Sequence, residues 1–287
     1  MKRRHFIQNL SIGAAALYAN KLFTGIGRDS DPLAVQLYSV RDAVSKNLEG
    51  TLERLAGLGY KNIELYGYNG TFFGKTANEF KTILGNTGIK VLSSHHTTGI
   101  AMKGKGTLSD GWDKAVEDIH AIGAEYMVCA YLFANERTPE IYKSLPVMFE
   151  KAATASKAAG IQFAYHNHDF EFEKLGDTLA YDFLLTNTPA DLVKMEMDLY
   201  WISKAGQDPI QYFEKYPGRF HLWHVKDMEA GTKAITEVGN GTIDFDRIFK
   251  ARKKAGLKYW FVEQDSSKRD MFESLTISRD NLAKKSY

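Results

Sequence analysis

From Leu33 onward, short runs rich in β-branched and aromatic residues alternate with longer stretches whose apolar positions recur at helical spacing. The strand-like runs are LAVQLYSV, KNIELYGY, KVLSSHH, YMVCAYL, IQFAYHNH, KMEMDLYW, FHLWHVKD and YWFVEQD, eight in all. Between them stand LEGTLERLAGLGY, TANEFKTILGNTG, GWDKAVEDIHAIGA, VMFEKAATASKAAG and FDRIFKARKKAGL. Gly59, Gly88, Gly123, Gly160 and Gly256 fall where helix C-caps are expected. No proline-rich linker or low-complexity segment interrupts the pattern, which therefore predicts one domain. Eight strand-helix units over roughly 250 residues predict an α/β fold, a (β/α)8 TIM barrel. A doubly wound open sheet is the alternative. It fits less well, because polar residues end most of the strands instead of gathering at one switch point.

Those polar ends form a series. His166 and His168 close the fifth run, Asp198 the sixth, His224 the seventh and Glu263 the eighth. Side chains at the same end of successive parallel strands converge, and imidazoles with carboxylates at one point make a donor set for a divalent cation. Strand alternation tests the idea, since residues of one parity face the barrel interior and the others face the helices. Phe220, Leu222 and His224 share one face, as do Tyr259, Phe261 and Glu263, so each apolar face ends in its candidate ligand. Asp198 shares its face with Glu196, which is costly to bury without a partner. Glu196 is expected as a supporting group opposite Lys194 or Lys226. Of His95 and His96 only one can face inward, and parity with Ile89, Val91 and Ser93 selects His95.

Composition narrows the partners. Hydrophobic residues make up 44% and charged residues 25%, as in soluble globular proteins. With 37 Lys plus Arg against 35 Asp plus Glu, the net charge of +2 gives no strong field for nucleic acid or anionic lipid. The single cysteine, Cys129, excludes an intramolecular disulfide and reads as a buried, inert thiol. Residues 1–28 read as a twin-arginine-like signal: Arg3 and Arg4, then Phe6 and Ile7, then an apolar stretch from Ile12 to Ala19. That stretch is too short to span a bilayer, so export to the periplasm without stable membrane insertion is expected, with the barrel over 31–287.

Five motifs, QLYSVRD, YHNHDFEF, MDLYW, HVKD followed by GNGTIDF, and VEQD, resemble those of the xylose isomerase-like TIM barrels, which include sugar phosphate isomerases and epimerases. The resemblance covers nearly the whole chain after the leader. It implies a divalent metal, Mn, Mg or Zn, held by the ends of strands five to eight, usually through Glu, Asp, His and Glu. The matching positions are His166, Asp198, His224 and Glu263, with His166 standing where the ketose epimerases have glutamate. Such a metal binds the carbonyl and adjacent hydroxyl of a sugar and stabilises the enediolate formed on proton removal. Epimerases use two opposed carboxylates, and here only Glu263 remains of the pair.

The resemblance thus implies an isomerase or epimerase enolising a keto-sugar, with Glu263 and His166 as acid-base groups; the expected export, and the lack of an Arg or Lys cluster beyond Lys226 at the seventh- and eighth-strand loops, point to an unphosphorylated one. A keto-sugar lyase or dehydratase is the alternative, with Lys226 and His168 protonating a departing oxygen. A non-catalytic sugar-binding protein is a further one. Gln36, Tyr38, Glu64 and His95 are expected to contact substrate at the mouth, with Trp201 as an apolar platform. GNGTIDF has the wrong spacing for a dinucleotide fingerprint and is expected to be a loop over the mouth. A DNA-repair endonuclease of the same superfamily needs a richer ligand set for three zincs and a basic face. The expected partner is a small-molecule sugar and not nucleic acid, and a homo-oligomer is left open.

Overall fold

The computed structural model describes residues 33–285, and the signal segment expected at 1–28 lies outside them. Eight parallel strands pair in chain order and close on themselves: β1 Ala34–Gln36, β2 Asn62–Leu65, β3 Lys90–Thr97, β4 Tyr126–Tyr131, β5 Gln162–His166, β6 Val193–Asp198, β7 Leu222–Val225 and β8 Tyr259–Val262. The ring is sealed by β1 pairing with β8, Ala34 opposite Phe261. Among the described residues no helix is long and apolar enough to cross a membrane.

Strand alternation divides the core in two. Inside the barrel, Ala34, Leu92, Tyr126, Val128, Ala164, Leu222 and Phe261 form an apolar floor. Residues of the other parity, among them Ile63, Met127, Cys129, Phe163, Met195 and Trp223, pack outward against the helices. The helices start where their sequences supply caps. Thr76 and Glu79 form a capping box ahead of the helix Ala77–Thr87, and Thr138 caps Pro139–Ala158 with proline in its first turn. Gly88, at φ 67°, ends the first of these in the left-handed conformation. At Gly256, φ is 83° and a Cβ would meet Gly218 Cα at 2.8 Å, so no other residue fits there.

Two strand expectations change. The first run stops at Gln36, because the Gln36 side chain accepts from Tyr38 N–H and turns the chain into a 3-10 helix, Leu37–Val40. His95 does face inward, but the parity argument for it fails. Val91 pairs with Ile63 while Ser93 pairs with Glu64, a register shift of one residue. Ile89 and Val91 therefore face the helices and Leu92 the interior, and the inward side resumes at Ser93 and His95.

Beyond β7, Asp227 binds the segment expected to lie over the mouth. Its carboxylate accepts from Met228 N–H at 2.8 Å, Gly239 N–H at 2.8 Å, Gly241 N–H at 3.0 Å and Ile243 N–H at 3.2 Å. On its other side this segment is tied to the last helix, Met271–Ala283: Val238 N–H donates to Ser278 Oγ, and Asn281 donates to Val238 O. It is thus a brace between the barrel end and the outer layer. The amide nest in GNGTIDF is filled by an internal carboxylate. Asp227→Ala is expected to lower the unfolding free energy by about 3 kcal/mol, because four backbone donors lose their acceptor at once. Urea unfolding followed by circular dichroism checks it.

Candidate metal centre

The interior carboxylates and imidazoles stack above the apolar floor in two levels. In the lower level, Glu64 from β2 and Glu196 from β6 face His95 from β3. His95 Nε2 lies 3.0 Å from Glu64 Oε2 and 2.7 Å from Glu196 Oε2. Gln36 donates to Glu64 Oε2 at 2.8 Å and faces His95 Nδ1 at 3.3 Å. In the upper level stand Asp198, Glu263 and Lys226, with Asp265 toward solvent. Lys226 Nζ lies 3.1 Å from Asp198 Oδ2, 2.7 Å from Glu263 Oε2 and 2.9 Å from Asp265 Oδ2.

Two imidazoles join the levels. His224 presents Nε2 to Glu64 at 2.5 Å and Nδ1 to Glu263 at 2.7 Å. His166 presents Nδ1 to Glu196 at 3.0 Å and Nε2 toward Asp198 Oδ2 at 3.8 Å. Such an imidazole donates its lower N–H to a buried carboxylate and keeps its upper nitrogen for a metal, the usual arrangement behind a histidine ligand. Asp198 has two tasks. Its Oδ1 accepts from Tyr200 and Trp201 N–H and starts the helix Leu199–Lys204, leaving Oδ2 for the site.

The electrostatics follow from burial against charge. Burial alone would raise Glu64, but His95 and His224 hold its carboxyl well below the usual range. Burial would lower His95, yet Glu64 and Glu196 raise it to about 9. His224 is likewise depressed by burial and carried well above its ordinary value by Glu196, Glu263 and Glu64. Lys226 stays an ammonium, because Asp198, Asp265 and Glu263 outweigh its desolvation. Burial raises Asp198 to about 6 despite Lys226. His166 and His168 are pushed well below the usual imidazole value, first by burial and then by neighbouring positive charge.

The donor set fits a divalent cation. Asp198, His224 and Glu263 offer ligand atoms within 4.8 Å of one another, and so do His95, His166, Glu196 and His224. The upper position is favoured on charge. Below, His95 already serves as counter-cation to Glu64 and Glu196; above, three carboxylates share the Lys226 ammonium and the Nδ1 edge of His224, which is itself divided between the levels. Asp198 Oδ2 also lacks a well-directed hydrogen bond, although Lys226 lies in ion-pair range. Asp198, His224 Nδ1 and Glu263 are the residues that would hold the ion, with His166 Nε2 beside them at 3.8 Å from Asp198 Oδ2.

The structure therefore brings His166, Asp198, His224, Glu263, Lys226 and His95 together. Gln36 and Glu64 are fully buried beneath the imidazoles, not at the open mouth, and their polar atoms orient His95 and His224. Glu196 meets imidazoles and neither expected lysine. Lys194 lies two residues nearer the barrel floor and donates to Gly218 O, while Lys226 belongs to the upper level. His168 and Trp201 stand side by side at the rim, ring centroids 5.3 Å apart. Neither His168 Nδ1 nor Trp201 Nε1 has a partner among the described residues. Tyr38 is 41% exposed on the outer mouth, edge-on to Tyr66 with the Arg41 guanidinium over its face.

Three supporting residues escaped the motif reading. Asp265 shares parity with Glu263 and could have been found that way. Asn167 accepts from Asp198 N–H, and Glu171 accepts from His168 N–H at 2.7 Å. These two lie in the turn after β5, where alternation no longer applies.

The xylose isomerase-like TIM barrel model matches residues 52–283. Inosose dehydratase of Lacticaseibacillus casei is 25% identical over 259 residues, spanning 78% of this chain and 85% of that protein. A crystal structure of a sugar phosphate isomerase/epimerase from Parabacteroides distasonis ATCC 8503 is 28% identical, with a TM-score of 0.78 over 91% of this chain and 97% of that one. The IOLI protein with a bound zinc atom shares the fold at 18% identity and a TM-score of 0.64, covering 88% of this chain and 95% of that one. With a closed barrel of eight parallel strands and a family match over most of its length, the chain belongs to the xylose isomerase-like TIM barrel family.

Proposed function

We propose that the chain is a divalent-metal-dependent lyase that removes the proton beside the ketone of an unphosphorylated keto-sugar and expels a β-hydroxyl as water. One observation carries the reading: the Glu263 carboxylate and the Lys226 ammonium touch at 2.7 Å, while the strand that would supply a second carboxylate ends in His166. A base and a proton donor in contact suit a reaction that takes a proton from carbon and returns one to oxygen. Names among the relatives lean the same way, since the Lacticaseibacillus casei protein is an inosose dehydratase. The zinc in the IOLI protein accords with a metal here.

When bound by His166, Asp198, His224 and Glu263, the metal would polarise the ketone and its neighbouring hydroxyl. Glu263, held ionised by Lys226 and His224 against the effect of burial, accepts the carbon-bound proton. Lys226 protonates the departing hydroxyl; Glu263 then gives up its proton to solvent and Lys226 regains one from solvent, so both groups return to their starting states. His168 is neutral and so not a strong acid; its free Nδ1 and the Trp201 N–H suit hydrogen bonds to substrate hydroxyls. The filled amide nest at Asp227 supports a substrate without phosphate. Isomerisation or epimerisation through the same first step is the second reading, favoured by the name of the Parabacteroides distasonis protein.

Metal-loaded protein incubated with keto-sugars in deuterated water is expected to release water from the sugar. Glu263→Gln should slow the reaction about a thousandfold. Recovered sugar carrying deuterium with inverted configuration would establish epimerisation instead, and no exchange with any keto-sugar tested would sink enolisation. Elemental analysis is expected to find a stoichiometric metal that Asp198→Ala removes; its absence from the unmodified chain would favour a sugar-binding protein. Metal uptake must displace the proton on His224 Nδ1, since the metal-free form holds that imidazole charged between carboxylates. Affinity should therefore rise about tenfold per pH unit up to the His224 pKa, with release of about one proton. Calorimetry in buffers of different ionisation enthalpy measures both.

A further inference from the structure

We propose that Asp265 is the positioning residue that receives the Lys226 ammonium when a divalent cation enters between Asp198 and Glu263. The inference rests on the metal reading above and concerns what the metal displaces. Lys226 Nζ contacts Asp198 Oδ2 and Glu263 Oε2, on the two carboxylates of the upper donor group. A buried metal and a buried ammonium cannot both hold those oxygens at contact distance, because two unscreened like charges would then lie side by side. The lysine must give way while remaining charged and paired.

Asp265 is the third contact, and it stands outside the donor group. Its carboxylate is 2.9 Å from Nζ on the solvent side, with the Asp265 side chain 28% exposed against 0% for Asp198 and 7% for Glu263. The backbone beneath it is pinned. Arg41 donates to Asp265 O at 3.1 Å, and Gln264 N–H donates to Ser39 Oγ at 3.0 Å. The receiving carboxylate is thus held in place while the lysine stem, with four rotatable bonds, pivots. The Trp201 ring, 5.6 Å from Nζ, adds a face that favours the cation on this outer side. The outward position points the ammonium at the mouth, where substrate enters. In the metal-free chain the lysine is the internal counter-ion of the site, and in the loaded chain it becomes the donor above the substrate.

Calorimetric titration of the chelator-stripped full chain with manganese(II) tests this in the unmodified protein, Lys226→Met, Asp265→Asn and the double variant. Lys226→Met removes the competitor and is expected to tighten manganese about tenfold, whereas Asp265→Asn strands the ammonium in the site and weakens it about tenfold. In the Lys226→Met background, Asp265→Asn should change affinity by less than about twofold, because its effect runs through the lysine. Asp265→Glu should restore most of the loss. Equal weakening in both backgrounds would show plain loss of negative charge and overturn the proposal, as would no weakening in either. Lys226→Gln replaces the methionine variant if circular dichroism shows that one unfolded. Manganese uptake with Asp265 inert defeats this proposal alone; no uptake by the unmodified chain defeats the metal reading and this proposal together.

Discussion

Glu64, Glu196, Asp198, Glu263 and Asp265 crowd the C-terminal end of a single barrel, and the neutralisation of their charge is the condition on which the site depends. An ion inside a protein carries a desolvation cost of several kcal/mol that only close, well-directed partners offset. Here the partners are layered. His95 is held as an imidazolium between the lower two carboxylates, and Lys226 reaches all three upper ones. His166 and His224 connect the layers, each with one nitrogen up and one down. The apolar floor beneath supplies the rigidity that this arrangement needs, since side chains such as Phe261 and Val128 leave the charged groups no room to relax downward.

Much of this was legible along the chain, and the part that was not has a physical explanation. Alternation within a strand identifies which residues share a face, and it picked out Glu263 above Phe261 and His224 above Leu222. It says nothing about which residues meet across the barrel. Glu196 accordingly seemed to need a lysine from a neighbouring position, whereas its partners come from β3 and β5. Alternation also presumes unbroken register, and the shift beside Leu92 reverses the face on which Ile89 and Val91 lie. Depth is invisible too. Gln36 and Glu64 sit on short strands, so their side chains reach the lower level of the stack instead of the rim.

The loop after β7 shows the same limit. GNGTIDF reads as a loop over the mouth, but its amides close on Asp227, and Gly241 is required because a Cβ there would run into the Asp227 carboxylate and meet Met228 O at 2.5 Å. Local composition predicted a loop; the tertiary carboxylate decides its shape.

The bond between His224 and Glu64 joins residues 160 positions apart in the chain, and that between His95 and Glu196 joins residues 101 apart. A half-barrel of β1 to β4 would pair Glu64 with His95 but lack His224 and Glu196, which complete their surroundings. During folding these groups must stay hydrated until the opposite half arrives, since dehydrating them earlier would leave their charge only partly compensated. The charged end of the barrel is thus also its clasp: it can lose its water only when the ring is whole, and a chain that has buried these side chains has thereby finished folding.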